Sequence, residues 1–427
     1  MRVLTIFEEA LTRRNIVIIG LAIRVLLAPF TAHPSDIGYW EEFGKALLTE
    51  QTNPYTSFVY PPPWILIVGA MYSLYLTFPS EIFLYLVLKL PIIVGDLLMG
   101  FVLYDVVKEL SGNRKLAKSA LLLFLLNPYV IWISSVWGMF DVLPALCTLL
   151  SIRFYLKGNR KSSFLILGLG AAFKYYPILL LPVLLIYEWK KDGQIAPLLY
   201  GIFLTGLPLT LTSLPFMLLY WESYFQTLLS TPLMLHALWS TPASYLSFIY
   251  ILRDAAPELF NQLMSNFWWS NALSYSIFLV LYLLLLVKLC REDTQSTSKF
   301  LLNGFLMAIL VVFLSSKMLN EQYFQWAIPF MIINFSVFNT KNENLFKILC
   351  FAFFAFFTLN VPLYNFIPDV YNKTFNHTAF LIPIVDFYEN VVPSIVKSVS
   401  LFMLGLTITI TCAVYYYRLM KQKANKI

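Results

Sequence analysis

An all-α protein that crosses a lipid bilayer many times is the fold class this 427-residue chain predicts, on three observations. Only 12% of its residues are charged and 59% are hydrophobic, with a mean hydropathy of +0.72, whereas soluble proteins carry about a quarter charged residues. Apolar runs of spanning length recur from one end to the other. The basic residues gather in the short links between these runs, the bias of loops retained on the cytoplasmic side. The same distribution assigns the net charge of +7 to topology, so nucleic acid is not an expected partner. Cys147, Cys290, Cys350 and Cys412 sit in or at the end of apolar runs, a pattern of inert core thiols without disulfide or metal spacing.

Taken in order, the apolar runs lie near 15–32, 82–107, 119–135, 140–157, 163–187, 195–213, 271–289, 299–316, 323–338, 346–364 and 393–417. With the proline-led stretch 62–78 as a shallow or re-entrant helix, they predict about 11–13 transmembrane helices. All basic links, from Arg13/Arg14 to Arg418/Lys421, share the cytoplasmic side with both termini if 163–187 is a hairpin of two short helices. Its tip is Lys174-Tyr175-Tyr176-Pro177. Ten helical residues cover only about 15 Å, half the hydrocarbon, where a polar tip is tolerated only against protein or a water-filled cavity, and the topology therefore implies a cavity. The opposite face receives 33–61, 134–142, 174–177, 214–270, 315–323 and 365–392. Segment 33–61 reads as an outer first loop with amphipathic helices, beginning at Glu41-Glu42-Phe43-Gly44-Lys45. The chain divides into a transmembrane module, 1–335, and C-terminal transmembrane helices, 336–427.

The residues with chemical potential all fall on that outer face. Asp36 follows the first span directly; it is either a solvated interfacial acid or a general base beside a cavity. Asp141, in Trp137-Gly138-Met139-Phe140-Asp141, either caps the next helix or contacts a polar ligand. Lys174 and Lys317 are either snorkelling lysines or anchors for a phosphate on which charge develops. Lys317, Asn320, Glu321 and Gln322 crowd one turn between hydrophobic helices, more polar groups than packing calls for. His236 belongs to the long outer segment 214–270 and reads first as a surface histidine. His33, His236 and His377 have no metal-ligand spacing. No phosphate-binding glycine loop followed by Lys-Ser/Thr is present, which argues against an ATP-driven transporter.

The order of short motifs along 15–335 resembles the membrane-embedded GT-C glycosyltransferases, especially the mannosyltransferase that adds the first mannose to glycosylphosphatidylinositol, and its prokaryotic relatives. The motifs are Ser35-Asp36-Ile37-Gly38-Tyr39-Trp40, Asn53-Pro54-Tyr55 with Tyr60-Pro61-Pro62, and Lys89 to Asp96. Asn127-Pro128 with Trp137 to Asp141, Phe173-Lys174-Tyr175-Tyr176-Pro177, and Ser316-Lys317 with Gln322-Tyr323-Phe324-Gln325-Trp326 follow. The resemblance implies a GT-C-like fold and an inverting transfer of a hexose, mannose first, from a dolichyl or polyprenyl phosphate to a lipid-linked or membrane glycan acceptor at the non-cytosolic face. It implies Asp36 as catalytic base, Lys174 and Lys317 as ligands of the departing lipid phosphate, and Asp141, Tyr175, Asn320, Gln322 and His236 as substrate-binding residues. The family often carries an Asp-x-Asp pair in the first loop; here Pro34 takes the first position and Asp36 alone remains. One carboxylate is a poor divalent-metal site, so no cofactor is expected.

A transporter or lipid scramblase using the same cavity is the alternative from another class. It requires polar residues along a route through the midplane, whereas here they cluster at one face. A ligase-like oligosaccharyltransferase relative would instead need a metal. The expected setting is a multi-pass protein in a prokaryotic cell membrane, or the endoplasmic reticulum in a eukaryote, with membrane lipids and a small membrane subunit as further partners.

Overall fold

The computed structural model describes residues 11–56, 60–230, 242–265, 268–292, 294 and 296–422. Helices make the whole framework of the described residues. The first is α1 (Arg13–Leu27), capped by the Thr12 hydroxyl on the Asn15 amide and closed by a 3-10 turn, Ala28–Phe30. A bend of 78° then leads into α2 (Pro34–Leu48). This helix is amphipathic as expected: Ile37, Trp40, Phe43 and Ala46 are buried while Tyr39, Glu41 and Glu42 face out. Pro34 opens it in the first turn, where a missing N–H costs nothing. The chain returns through α3 (Pro62–Tyr75) to α4 (Glu81–Ser111), the longest helix, capped by Ser80 and terminated by Gly112 at φ +66°.

Lys89 in α4 touches the end of α1, whereas Arg13 at the start of α1 lies over Tyr104 of α4. The two helices are therefore antiparallel, and the two contacts lie 15 residues of α4, or about 22 Å, apart. α5 (Arg114–Leu125) returns beside α4 and continues, past the Asn127 cap and Pro128, into a π-helical turn, Trp132–Trp137. Gly138 ends that turn at φ +95°, a conformation that side chains resist. α6 (Val142–Leu156) and α7 (Arg160–Phe173) follow, then a 3-10 turn, Tyr176–Leu180, and α8 (Leu181–Asp192). The predicted hairpin of short helices with a tip at 174–177 is thus formed.

The remaining described helices of eight or more residues are α9 (Ile195–Leu219), α10 (Trp221–Ser230), α11 (Phe248–Ala255), α12 (Pro257–Ser265), α13 (Trp268–Arg291), α14 (Thr297–Ser315), α15 (Glu343–Asn360) and α16 (Ser394–Lys421). Among the described residues six helices are long and apolar enough to cross a bilayer alone, and up to eight spans result if each bent pair counts as one. The other predicted crossings are shorter apolar pieces such as α6 and 328–338. Prolines at 128 and 329 and two of the π-helical turns, Trp132–Trp137 and Asn334–Phe338, break what the sequence presents as continuous apolar runs. α4 and α14 form the buried centre, with 61% and 78% of their apolar windows covered. α9 and α13, covered over only 22% and 17%, turn most of their surface outward, as lipid-facing helices do. Cys290 on α13 is exposed, contrary to its reading as a core thiol, because α13 lies on this periphery; Cys147 and Cys412 are buried.

Candidate functional site

The end of α1, the start of α2, the π-helical turn and the 174–177 tip meet at one end of the bundle. Asp36 lies in the first turn of α2, where the helix dipole favours a carboxylate. Its Oδ2 accepts a hydrogen bond from Trp137 Nε1 at 2.6 Å and lies 3.0 Å from His33 Nδ1. His33 Nδ1 is also 3.3 Å from the Asp36 amide, so it either accepts from that N–H or donates to the carboxylate, one at a time. The imidazole stacks on the Trp137 ring at 4.9 Å, and Trp137 in turn stacks on Phe357 at 5.0 Å. Burial pushes the Asp36 carboxyl up, but His33, the Trp137 N–H and the Lys174 charge together outweigh it and hold the group below its ordinary value. Asp36 therefore stays ionised, with 20% of its side chain exposed, and its Oδ1 has no hydrogen-bond partner among the described residues.

Behind it, Lys174 and Asp141 form a buried ion pair, Nζ to Oδ1 and Oδ2 at 2.7 and 2.8 Å. Trp326 Nε1 donates to the same Oδ1 at 2.6 Å. The ammonium is 5.2–5.6 Å from the ring centres of Tyr60, Phe140, Tyr323 and Trp326, an aromatic cage that gives a cation further stabilisation. The side chain of Asp141 makes no cap bond to α6, so the capping alternative does not hold; the carboxylate serves Lys174 instead. The polar tip is thus packed against protein, with Lys174 and Tyr176 buried, and its charge is met by Asp141 rather than by water in the cavity that the topology implied.

The structure brings Asp36, Asp141 and Lys174 together and joins Asn320 to them through Tyr323, whose hydroxyl accepts from Asn320 Nδ2 at 3.4 Å. Gln322 is 4% exposed and its Oε1 has no hydrogen-bond partner among the described residues; the buried Tyr175 hydroxyl is in the same state. Lys317 sits in an adjacent cluster: its Nζ donates to Asn271 Oδ1 at 2.6 Å, and the neighbouring Met318 packs on Leu246 and Ile249. Burial pushes the Lys317 ammonium down to about 8. His236 lies outside the described residues. Among the described residues no three His, Cys, Asp or Glu side chains converge as a metal site.

Four participants had no role of their own in the sequence reading, where Trp137, Trp326 and Lys89 stand only within motifs and Glu321 only among the polar groups of its turn. Trp137 and Trp326 orient the two carboxylates through their indole N–H groups. Glu321 is buried, accepting from Asn360 Nδ2 at 2.5 Å. Lys89 is wholly buried on α4. The available signal was an ionisable residue inside an apolar run, which is expensive and marks function by default.

The described helices define a polytopic all-α membrane protein with a GT-C-like fold. Over 95% of its length the chain is similar to the crystal structure of ArnT from Cupriavidus metallidurans bound to undecaprenyl phosphate, with a TM-score of 0.53, 14% identity and 76% of that chain covered. The apo form of the same protein aligns over the same shares at 14% identity and a TM-score of 0.47. Residues 30–269 match the sequence profile of the family described as GPI transamidase subunit PIG-U, and the chain belongs to that family. The family shown is therefore PIG-U rather than the mannosyltransferases that the motifs resemble. No curated protein matches the chain.

Proposed function

We propose that the protein is an inverting glycosyltransferase that moves a hexose, mannose first, from a dolichyl or polyprenyl phosphate to a lipid-linked glycan at the non-cytosolic face. The observation that carries this reading is Asp36: an ionised, partly exposed carboxylate, held by Trp137 and His33 beside a buried lysine. A general base needs that combination, because it must be unprotonated, aimed and accessible. Oδ1 would take the proton of an acceptor hydroxyl while its oxygen attacks the anomeric carbon and the sugar–phosphate bond breaks on the opposite side. The electron pair leaves with the lipid phosphate. Lys174 would meet it with the N–H that Asp141 leaves over, and Lys317 would hold the headgroup from the neighbouring turn. Asp141, Tyr175, Asn320, Gln322 and His236 are the proposed sugar contacts; the unpartnered Gln322 Oε1 and Tyr175 hydroxyl have hydrogen-bonding capacity to offer. Similarity to a fold whose solved member holds undecaprenyl phosphate supports a polyprenyl-phosphate ligand.

Membership of the PIG-U family favours a second reading, in which the same site binds a glycolipid without transferring sugar, as a subunit of a larger membrane assembly. Purified protein with radiolabelled dolichyl-phosphate mannose and a lipid extract separates the two. Label that enters lipid-linked glycan with wild type and not with Asp36→Asn supports the transferase. Tight binding of the lipid with no transfer by any donor supports the subunit.

A further inference from the structure

We propose that Lys89 is the positioning residue of this site, an ammonium clamp on two helix ends that sets Trp137 against Asp36. Lys89 is completely buried on α4. Its Nζ lies 3.1 Å from the Ala28 carbonyl, 2.9 Å from that of Ser135 and 3.2 Å from that of Val136, and it also donates to the Thr31 carbonyl. Ala28 and Thr31 close α1, two to five residues before His33; Ser135 and Val136 are the last residues before Trp137. Carbonyls at helix C-termini lack partners and carry the negative end of the dipole. Two such ends converge here on one cation, whose three N–H donors serve four acceptors. The nearest acid along the same face of α4, Asp96, is engaged by Arg24 at 2.7 Å, so backbone dipoles supply the counter-charge of Lys89.

Further contacts tie the same two segments together. The His33 amide donates to the Trp137 carbonyl at 3.3 Å, and the Thr31 hydroxyl to the Ser135 carbonyl at 3.4 Å. Gly138, at φ +95°, wraps the lysine shaft so closely that a Cβ there would lie 3.2 Å from Lys89 Cε. The groups that act on Asp36 directly are His33 at its own helix cap, Trp137 from the π-helical turn and Lys174 from the α7 tip; Asp141 and Tyr60 also feel its charge. Lys89 is not one of them, and so it acts on Asp36 through Trp137.

This inference rests on reading Asp36 as the base, and its test needs no sugar transfer. Carbodiimide and an amine modify a carboxyl while it is protonated, so mass spectrometry of the full-length protein in detergent gives the pH at which Asp36 labelling is half-maximal. Lys89→Met and Trp137→Phe should each raise that midpoint by about one pH unit, a tenfold change in proton affinity, and the double variant should go no further. Gly138→Ala keeps the ammonium but displaces the turn; it should shift the midpoint the same way, and decides the matter if Lys89→Met fails to fold. An unchanged midpoint in folded Lys89→Met or in Gly138→Ala, or additive shifts in the double variant, would overturn the clamp. A wild type that never transfers sugar yet shows these shifts would remove the base reading and leave the clamp standing.

Discussion

At the scale of single residues, the site works by setting different fates for similar groups. Asp36 and Asp141 are both acids near Lys174, but Asp141 is completely buried and bound by the ammonium and an indole, while Asp36 keeps one oxygen open. If Asp36 is the base of a glycosyl transfer, Asp36→Asn should lower transfer by roughly 10²–10⁴-fold with lipid binding retained, as measured by steady-state transfer and equilibrium binding. Because the Asp36 carboxyl is held below its ordinary value, the base form persists as the medium is acidified. If Asp36 is the base, the rate should therefore hold through the ordinary carboxylate range and fall only below it, as Asp36 is protonated. Lys317 gives the opposite limb. It is charged below about 8 and neutral above, so affinity for a lipid phosphate should fall as pH rises through 8, in a binding titration against pH. Lys317→Arg should flatten that limb, since a guanidinium stays protonated. Asp141→Asn strands a buried ammonium and should cost about 3–5 kcal/mol in denaturant unfolding. The double variant with Lys174→Met should cost less than the two single changes added together.

At the scale of elements, close helix approach decides where the site residues come to lie. α7 and α9 cross at Gly168, where an added Cβ would sit 2.1 Å from the Thr205 carbonyl oxygen, a backbone atom that cannot rotate away. Gly168→Ala must push the two helices apart and, because α7 carries Lys174 at its end, should loosen the ion pair as well as lower stability by about 1–3 kcal/mol. A thermal-unfolding series in detergent measures the first effect. The hairpin of α7 and α8 was readable in the sequence because Lys-Tyr-Tyr-Pro interrupts an apolar run and positive-inside counting required an even number of passes. The π-helical turn Trp132–Trp137 was not, since Ser134-Ser135 and their apolar neighbours fit an ordinary helix equally well and only the packed structure selects the wider turn that aims Trp137.

For the whole molecule, the bundle has a buried centre of α4 and α14, an outward-facing pair α9 and α13, and one end where Asp36 and Lys174 meet. If that end is the non-cytosolic one, cysteines at 36 and 317 in a cysteine-free background should react with an impermeant maleimide from outside intact cells or vesicles. Cysteines at 157 and 421 should react only after permeabilisation. Labelling of positions 36 and 317 from opposite sides would dismantle the proposed site.

By itself the sequence determined the solvent, the helical class, the polar tip at 174–177 and the choice of Asp36, Asp141 and Lys174. A charge inside hydrocarbon is costly, so its position in the chain is already informative. Only the tertiary structure decided the partners: that Asp141 neutralises Lys174 rather than capping α6, that Trp137 and His33 keep Asp36 ionised, that Lys317 sits with Asn271, and that Lys89 closes two helix ends. Apart from His33 and Asp36, which share one helix cap, those pairings join residues 33 to 101 positions apart, across helices whose rotation is fixed by packing. Burial turns each of them into a specific bond, because a polar group in a dry core must find a partner, and chain order does not say which one is within reach.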